Sequence, residues 1–317
     1  MTSVKTIVFG PTGAVGSATA RAAQEQGAKV VLGMRDPTKP ITGLSPEDEQ
    51  RGGIERVHAD LSKPETLHEA VTKTGATRAF IYLLFEAKDG MKSILTTLKS
   101  AGIEYVVFLS SDAVPDSLDI RESDHIAQIH GEVELSLKEV FGAGAYAAVR
   151  AGWFASNSLR WKDMFKEREI KIPYAEAYFD WISPQDIGSV CGGLLSKAPR
   201  DIDGRAGPSV VRIAGPNVLT QAEAVDVVAK SLGKEVKITS LSFDEGVKFF
   251  VSSVGLPEPA AKALVDIIRI RAEGGKADGG YEGLRYEERV ANIRKYSGRE
   301  ATPFQQWVDE NKKEFDV

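Results

Sequence analysis

The sequence predicts an α/β fold whose sheet is parallel and doubly wound. Three observations carry that expectation. Short apolar runs alternate with amphipathic stretches through the first half of the chain. Each run is four to seven residues long and rich in Val, Ile, Phe and Tyr, which suits strands rather than helices. The first run empties into a glycine-rich turn that leads straight into a helical pattern. Strands separated by helices need right-handed crossovers, and parallel strands covered on both faces read as near-continuous apolar runs.

In order, the strands are expected at residues 6–9, 29–34, 54–58, 79–84, 105–110 and 145–150. Helices are expected between them at 15–26, 64–74, 88–101 and 126–141. After residue 150 the rhythm loosens. Residues 151–157 read as a loop entering a helix and 181–186 as a short connector. Helices are expected at 187–196, 221–232 and 257–272, and strands at 209–213 and 237–240. Residues 274–280 hold four glycines and read as a flexible loop. The tail, 302–314, reads as a closing helix with Thr302 as N-cap and Pro303 at the first helical position. This gives a nucleotide-binding domain over 1–150 and a smaller α+β lobe over 151–317 for the substrate, the two intertwined.

Bulk properties exclude several classes of function. The net charge is −5 and no basic stripe marks a nucleic-acid site. Cys191 is the only cysteine and the four histidines lack ligand spacing, so neither a disulfide nor a metal site is expected. The N-terminus enters a strand at once and no apolar stretch approaches the roughly 18 residues of a membrane span. A cytoplasmic protein with no membrane contact follows as the expectation, with a homodimer as an open one. No GxSxG, HExxH, CxxC or GxxxxGK[ST] pattern occurs.

The turn after the first strand reads Gly10-Pro11-Thr12-Gly13-Ala14-Val15-Gly16, a GxxGxxG variant of the dinucleotide fingerprint. Gly10 permits the turn, Gly13 lets the backbone approach a diphosphate, and Gly16 allows close helix packing. Ala14 and Val15 bring backbone N–H groups at the helix start, where the dipole favours negative charge. The second strand ends at Met34 and is followed by Arg35, Asp36, Pro37, Thr38 and Lys39. Sites for the unphosphorylated nucleotide carry an acid there for the ribose 2′-hydroxyl. A guanidinium suits a 2′-phosphate instead, so Arg35 and Lys39, with the Thr12 hydroxyl nearby, point to NADP(H). Asp36 weakens this, since it can pair with Arg35 or accept from a ribose. Asp60, with Leu61, ends the third strand and either accepts from the adenine amino group or caps the next helix. Tyr82 and Leu83 end the fourth strand, where they can line the ribose.

Taken together, GPTGAVG, MRDPTK, HADLSKPETL, FLSSDA, HGEVELSLKE, VRAGWFASN and DWISPQDIG resemble, in order over about residues 4–190, the NmrA-like branch of the extended short-chain dehydrogenase/reductase superfamily. The resemblance implies a Rossmann-type doubly wound sheet with a small C-terminal substrate lobe. It also implies either an NADPH-dependent reductase, as in plant and secondary metabolism, or a regulator that binds the nucleotide without turning it over. Short-chain reductases pair a Tyr with a Lys four residues later on one helix. Ile126 and His130 stand at those places here, so both are lost.

His130 is then a candidate either for the nicotinamide ribose or as a general acid, and it lies at helical spacing from Glu134. His125, at the start of the same helix, is a second candidate. Ser110 and Ser111 close the fifth strand, where ligands of open sheets bind. They are either substrate contacts or polar strand caps, and Asp112 is a candidate proton donor or counter-charge. The resemblance implies that Gly152, Trp153 and Phe154 fix the nicotinamide amide with backbone groups, though both aromatics also suit a core. Leu84, Phe85, Asn157, Trp161, Tyr174, Tyr178 and Trp181, together with Asp112, His125 and Trp153, are candidates for an aromatic pocket for a flat apolar ligand, with about half equally suited to core packing. Asp186 reads as a cap of the following helix.

The leading expectation is an NADPH-dependent reductase of a small molecule, aromatic or alkaloid-like. It would pass hydride to C=O, C=N or polarised C=C without the usual Tyr/Lys pair. One alternative is a cyclase that shuttles hydride out and back. Another is a non-catalytic NADP(H) sensor that binds a protein partner.

Overall fold

A computed structural model describes residues 3–121, 123–197, 209–278 and 280–315. The chain runs β1 (Lys5–Phe9), α1 (Ala14–Glu25), β2 (Lys29–Met34), α2 (Pro46–Gly52), β3 (Glu55–His58), α3 (Pro64–Thr74), β4 (Arg78–Tyr82), α4 (Lys92–Ala101), β5 (Tyr105–Ser111), α5 (His125–Val140) and β6 (Tyr146–Ala151). After a 3₁₀ turn, Ala155–Trp161, come α6 (Met164–Glu167), β7 (Glu169–Pro173), β8 (Tyr178–Phe179), α7 (Pro184–Lys197), β9 (Val210–Ile213), β10 (Leu219–Thr220), α8 (Gln221–Leu232) and β11 (Lys237–Leu241). Helices close the chain: α9 (Phe243–Ser252), α10 (Glu258–Glu273), α11 (Gly275–Asp278), α12 (Gly283–Ser297), α13 (Phe304–Glu310) and α14 (Lys312–Phe315). No helix of the described residues is long and apolar enough to cross a membrane.

Two compact units form. The first takes Met1–Ala151, Pro184–Ile213 and Asn292–Arg299; the second takes Gly152–Ser183, Ala214–Ala291 and Glu300–Val317. In the first unit seven strands pair in the order β3-β2-β1-β4-β5-β6-β9, every pair parallel. The order reverses beside β1, which is the doubly wound arrangement, and places the glycine turn at the switch point where such sheets bind ligands. Ile7, Val31, Ile81, Val106 and Phe108 lie in its core without solvent contact. Helix α7 packs on α1 through glycines: a Cβ on Gly188 would lie 2.4 Å from the Ala18 methyl, and one on Gly192 2.6 Å from that of Ala22. The second unit holds two small sheets, parallel β7–β11 and antiparallel β8–β10, with helices around an aromatic core.

Several expectations shift. The helix expected from residue 88 starts at Lys92, because Gly90 and Met91 both have left-handed backbone, with φ of 57° and 58°. The strand expected to reach 84 stops at Tyr82, which frees the following residues. Residues 275–278 of the expected loop form a short helix entered through Gly275 at φ 62°; Gly279 lies outside the described residues. The closing helix has Pro303, not Thr302, at its N-cap, and it breaks at Asn311. Asp186 sits inside the first turn of α7 rather than at its cap.

Candidate functional site

The site in the first unit begins with the glycine turn. Gly10 adopts φ 67°, and a Cβ there would lie 2.5 Å from the Tyr82 ring. Only glycine combines that conformation with that neighbour. A Cβ on Gly16 would lie 2.2 Å from the Gly10 carbonyl oxygen, so the first turn of α1 presses against the loop itself. At Gly13 an added Cβ would meet nothing closer than 3.5 Å. Gly13 is the N-cap of α1, no side chain caps the helix, and no acid stands in its first turn. The opening N–H groups of Ala14 and Val15, at the positive end of the dipole, are thus presented at an unobstructed backbone.

A cleft of about 990 Å³ opens from this turn, at the top of the roughly 300–1,000 Å³ usual for ligand sites. Its wall includes Gly10, Thr12, Arg35, Lys39, Asp60, Leu61, Tyr82, Leu83, Leu84 and Phe85, all expected at the site, together with Asp36, Ser62 and Glu86. Phe85 stands out into solvent, 73% exposed.

The charges around the cleft sort themselves. Asp36 does not pair with Arg35: its Oδ1 accepts from the Thr38 amide (2.9 Å) and hydroxyl (2.6 Å). These bonds, with Lys39 nearby, hold its carboxyl below the usual range. Arg35 is exposed and has no hydrogen-bond or ion-pair partner among the described residues. Asp60 accepts from the Ser62 amide (3.0 Å) and hydroxyl (2.8 Å), and Lys63, not Asp60, is the N-cap of α3. Burial works against its ionisation, but the Ser62 bonds and the neighbouring Arg35 and Lys63 keep the Asp60 carboxyl low. A free guanidinium and a lysine line a cleft bounded by the turn that leads into an uncapped helix, and this donor set fits a phosphorylated dinucleotide.

Beyond the cleft, the ends of β5 and β6 are occupied by an ion-pair network. Arg150 is 1% exposed and Glu134 is fully buried. Arg150 Nε and Nη2 donate to the two carboxylate oxygens of Glu134 at 2.9 and 2.7 Å. The Ser110 hydroxyl donates to the same carboxylate at 2.6 Å. Ser110 is therefore turned inward with its proton spent, which removes it as a substrate contact. Asp112 is ion-paired with Arg212, which also donates to the Val114 carbonyl and to Asp116. That ion pair fits the reading of Asp112 as a counter-charge. Ser111 keeps a hydroxyl proton, since its Oγ only accepts, from the Ala113 amide at 3.2 Å.

His130 does not reach Glu134, which is fully engaged. It lies 5.9 Å from the Phe108 ring, and its buried Nδ1 has no partner among the described residues. Burial pushes its pKa down to about 4, so the ring is neutral at pH 7. It can donate or accept a hydrogen bond there, but it stores no imidazolium proton. His125 opens α5 behind the Asp124 cap and is exposed.

In the second unit, Gly152 and Trp153 rest on Asp180, which is 1% exposed. Its carboxylate accepts from the Trp153 and Gly215 amides at 2.8 and 2.9 Å. A Cβ on Gly152 would lie 2.4 Å from both oxygens, which explains the glycine. Phe154 bridges to Ile182, and Trp153 stacks on Phe179 at 4.2 Å. Trp161 and Trp181 are 4% and 1% exposed and pack edge to face within the core of this unit. Tyr174 is half-buried against that core, and Tyr178 lies 5.2 Å from the Lys276 ammonium. Within this unit, Trp153, Asn157 and Trp161 line a slot with Phe249 and Phe250 that holds only about 10 Å³, room for one water at most.

The model of the NmrA-like family matches residues 2–309. This chain belongs to the NmrA-like family. It is 35% identical over 321 residues to the nitrogen metabolite regulation-like protein bik4 of Gibberella fujikuroi, covering 96% of this chain and 95% of that one. It is 23% identical over 312 residues, 98% of each chain, to a (4-alkanoyl-5-oxo-2,5-dihydrofuran-3-yl)methyl phosphate reductase of Streptomyces griseus subsp. griseus. Among solved structures it is similar to the NADPH-dependent quinone oxidoreductase QOR2 of Escherichia coli complexed with NADPH. The TM-score is 0.72 at 19% identity, over 97% of this chain and 99% of that one. The family member thus has the fold of NADPH-dependent reductases.

Proposed function

We propose that this chain binds NADP(H) in the cleft of its first unit and reduces a small, electron-poor organic molecule. The observation that carries the reading is Arg35: an exposed guanidinium with no internal partner among the described residues, lining a cleft bounded by the turn that leads into an uncapped helix. The backbone N–H groups of Ala14 and Val15 hold the diphosphate. Arg35 and Lys39 hold the 2′-phosphate, and Asp60 faces the adenine end. The reduced nicotinamide, when bound, supplies a hydride. His130, neutral at pH 7, offers hydrogen bonding rather than acid catalysis. Ser111 retains a hydroxyl proton beside the same strand end.

That poverty of acids suits an acceptor that needs no strong proton donor, such as an iminium ion, a quinone or a doubly activated alkene, with water supplying any proton. The reductase name of the Streptomyces relative supports this reading. The test has two stages. Calorimetry with NADPH and NADH should show a clear preference for NADPH. The protein should then consume NADPH, read at 340 nm, with at least one of a cyclic iminium, a quinone and an enedione.

The engaged Ser110 and Asp112 also favour a second reading, a sensor that binds the nucleotide without turning it over. Tight NADPH binding with no consumption on any of the three acceptors, and unequal affinities for NADPH and NADP⁺, would select it.

A further inference from the structure

A second opening lies toward the far end of α1, about 12 Å along the helix axis from the glycine turn to Arg21. It is a cleft of about 330 Å³ whose wall includes Arg21, Gln24 and Glu25 of α1, Gly43 of the segment after β2, and Asp48 and Arg51 of α2. Most of its charges are matched. Asp48 closes the capping box with Ser45 and pairs with Arg51. Glu25 pairs with Arg299 at 2.6 Å.

Arg21 is the exception. It is half-buried, its Nε is buried, and the guanidinium has no hydrogen-bond or ion-pair partner among the described residues. It lies flat against Gly43, where an added Cβ would come within 3.4–3.7 Å of its three terminal atoms. A buried donor without an acceptor is costly, and native proteins rarely keep one without a use for it. Beside it, the Gln24 amide lies against Gly52 and puts a second set of donors on the same wall. The guanidinium fork matches two oxygens of one carboxylate or phosphate.

We propose that this cleft is an anion site, separate from the nucleotide cleft, that takes a carboxylate or phosphate group on Arg21. Occupancy gives the terminal Nη groups of Arg21 an acceptor and leaves the neighbouring ion pairs intact. The same segment is tied toward the nucleotide cleft by Arg56. Its Nε and Nη2 bond Glu49 of α2, and its Nη1 donates to the Pro37 and Lys39 carbonyls.

Thermal unfolding of the full chain in inorganic phosphate or in citrate, against chloride at matched ionic strength, tests the site. At least one of the two anions should raise the midpoint in a saturable way, and the stronger one tells phosphate chemistry from carboxylate chemistry. The rise should survive Arg35→Ala, which removes only the guanidinium proposed for the 2′-phosphate in the nucleotide cleft. It should fall away in Arg21→Gln, with half-saturation weakened tenfold or more. Arg21→Met, close in shape, gives the same readout should the glutamine variant fail to fold. The proposal is overturned if neither anion acts beyond chloride, if Arg35→Ala abolishes the rise, or if both Arg21 variants keep it.

Discussion

Replacing Glu134 by glutamine keeps the shape of a buried side chain and removes the charge that a buried guanidinium depends on. Arg150 then keeps its Val114 carbonyl contact and, at 3.3 Å, Asp116, whose side chain is 77% exposed and screened by water. Removing one partner of a buried pair typically costs about 3–5 kcal/mol, because the other charge is left uncompensated. Such a loss is a large share of the roughly 5–15 kcal/mol that holds a domain folded. Arg150→Met should cost a similar amount for the mirror reason. The double variant Glu134→Leu/Arg150→Met replaces both charges by apolar groups, so it should recover most of the loss. The coupling between the two sites should therefore be several kcal/mol. Urea unfolding followed by far-UV circular dichroism is the assay. All four tryptophans, Trp153, Trp161, Trp181 and Trp307, belong to the second unit, so their fluorescence reports that unit alone. Single losses below about 1 kcal/mol, or a double loss equal to the sum of the singles, would refute the buried-pair account.

Further expectations follow from the same geometry. Ser110→Ala gives up one hydrogen bond to a charged group, about 1.5–3 kcal/mol of stability, and should leave turnover at saturating NADPH unchanged; a collapse of turnover with stability intact would return Ser110 to the chemistry. Arg35→Ala should weaken NADPH about 10- to 150-fold, from about 1.5–3 kcal/mol of charge-assisted bonding, while NADH affinity holds; equal losses for both in calorimetry would sink the 2′-phosphate role. Gly16→Ala drives a methyl into the Gly10 carbonyl and should cost about 1–3 kcal/mol and weaken both nucleotides, measured by unfolding and titration. His130 is held near pKa 4, below its unfolded value. Its contribution is therefore complete above about pH 6.5 and drains away as pH falls from there toward 4, by about 2–3 kcal/mol. His130→Gln should flatten that part of the stability profile, and an unchanged slope would show that other groups set it.

The parallel sheet was legible because its strands are buried on both faces, so that runs such as residues 30–34 are apolar throughout. The glycine turn was legible because Gly10 and Gly16 answer steric demands that no other residue meets. Two helices carried readable signals that periodicity alone passes over: α2 opens with Ser45, Pro46 and Asp48, and α9 with Ser242 and Glu245, both capping boxes. Helix α12 offered little to read, since of its fifteen residues only Ile293 is buried. Among candidate site residues, those at the ends of the first four strands and in the turns after them line one cleft, because chain order places them. Partnerships made across elements were not. Arg150, a lone charge inside an apolar strand, went unread, though such a residue calls for a buried acid. Nothing in the sequence said that the acid is Glu134, or that Ser110 turns inward to meet it. The tryptophans misled for a related reason, since an aromatic cluster reads alike as cavity wall and as core.

The path of the chain through the first unit has a consequence for how the protein is made. The last strand of the large sheet, β9, and the helix that covers α1 are encoded only after an excursion of some thirty residues into the other unit. On the ribosome, β6 emerges with one edge unpaired, and the small-residue face of α1 around Ala18 and Ala22 stays bare until Gly188 and Gly192 arrive. Open strand edges recruit other chains. A nascent chain stalled near Ala151 would therefore be a natural client for chaperones, and a fragment cut there would be expected to aggregate rather than to persist as a free-standing nucleotide-binding domain.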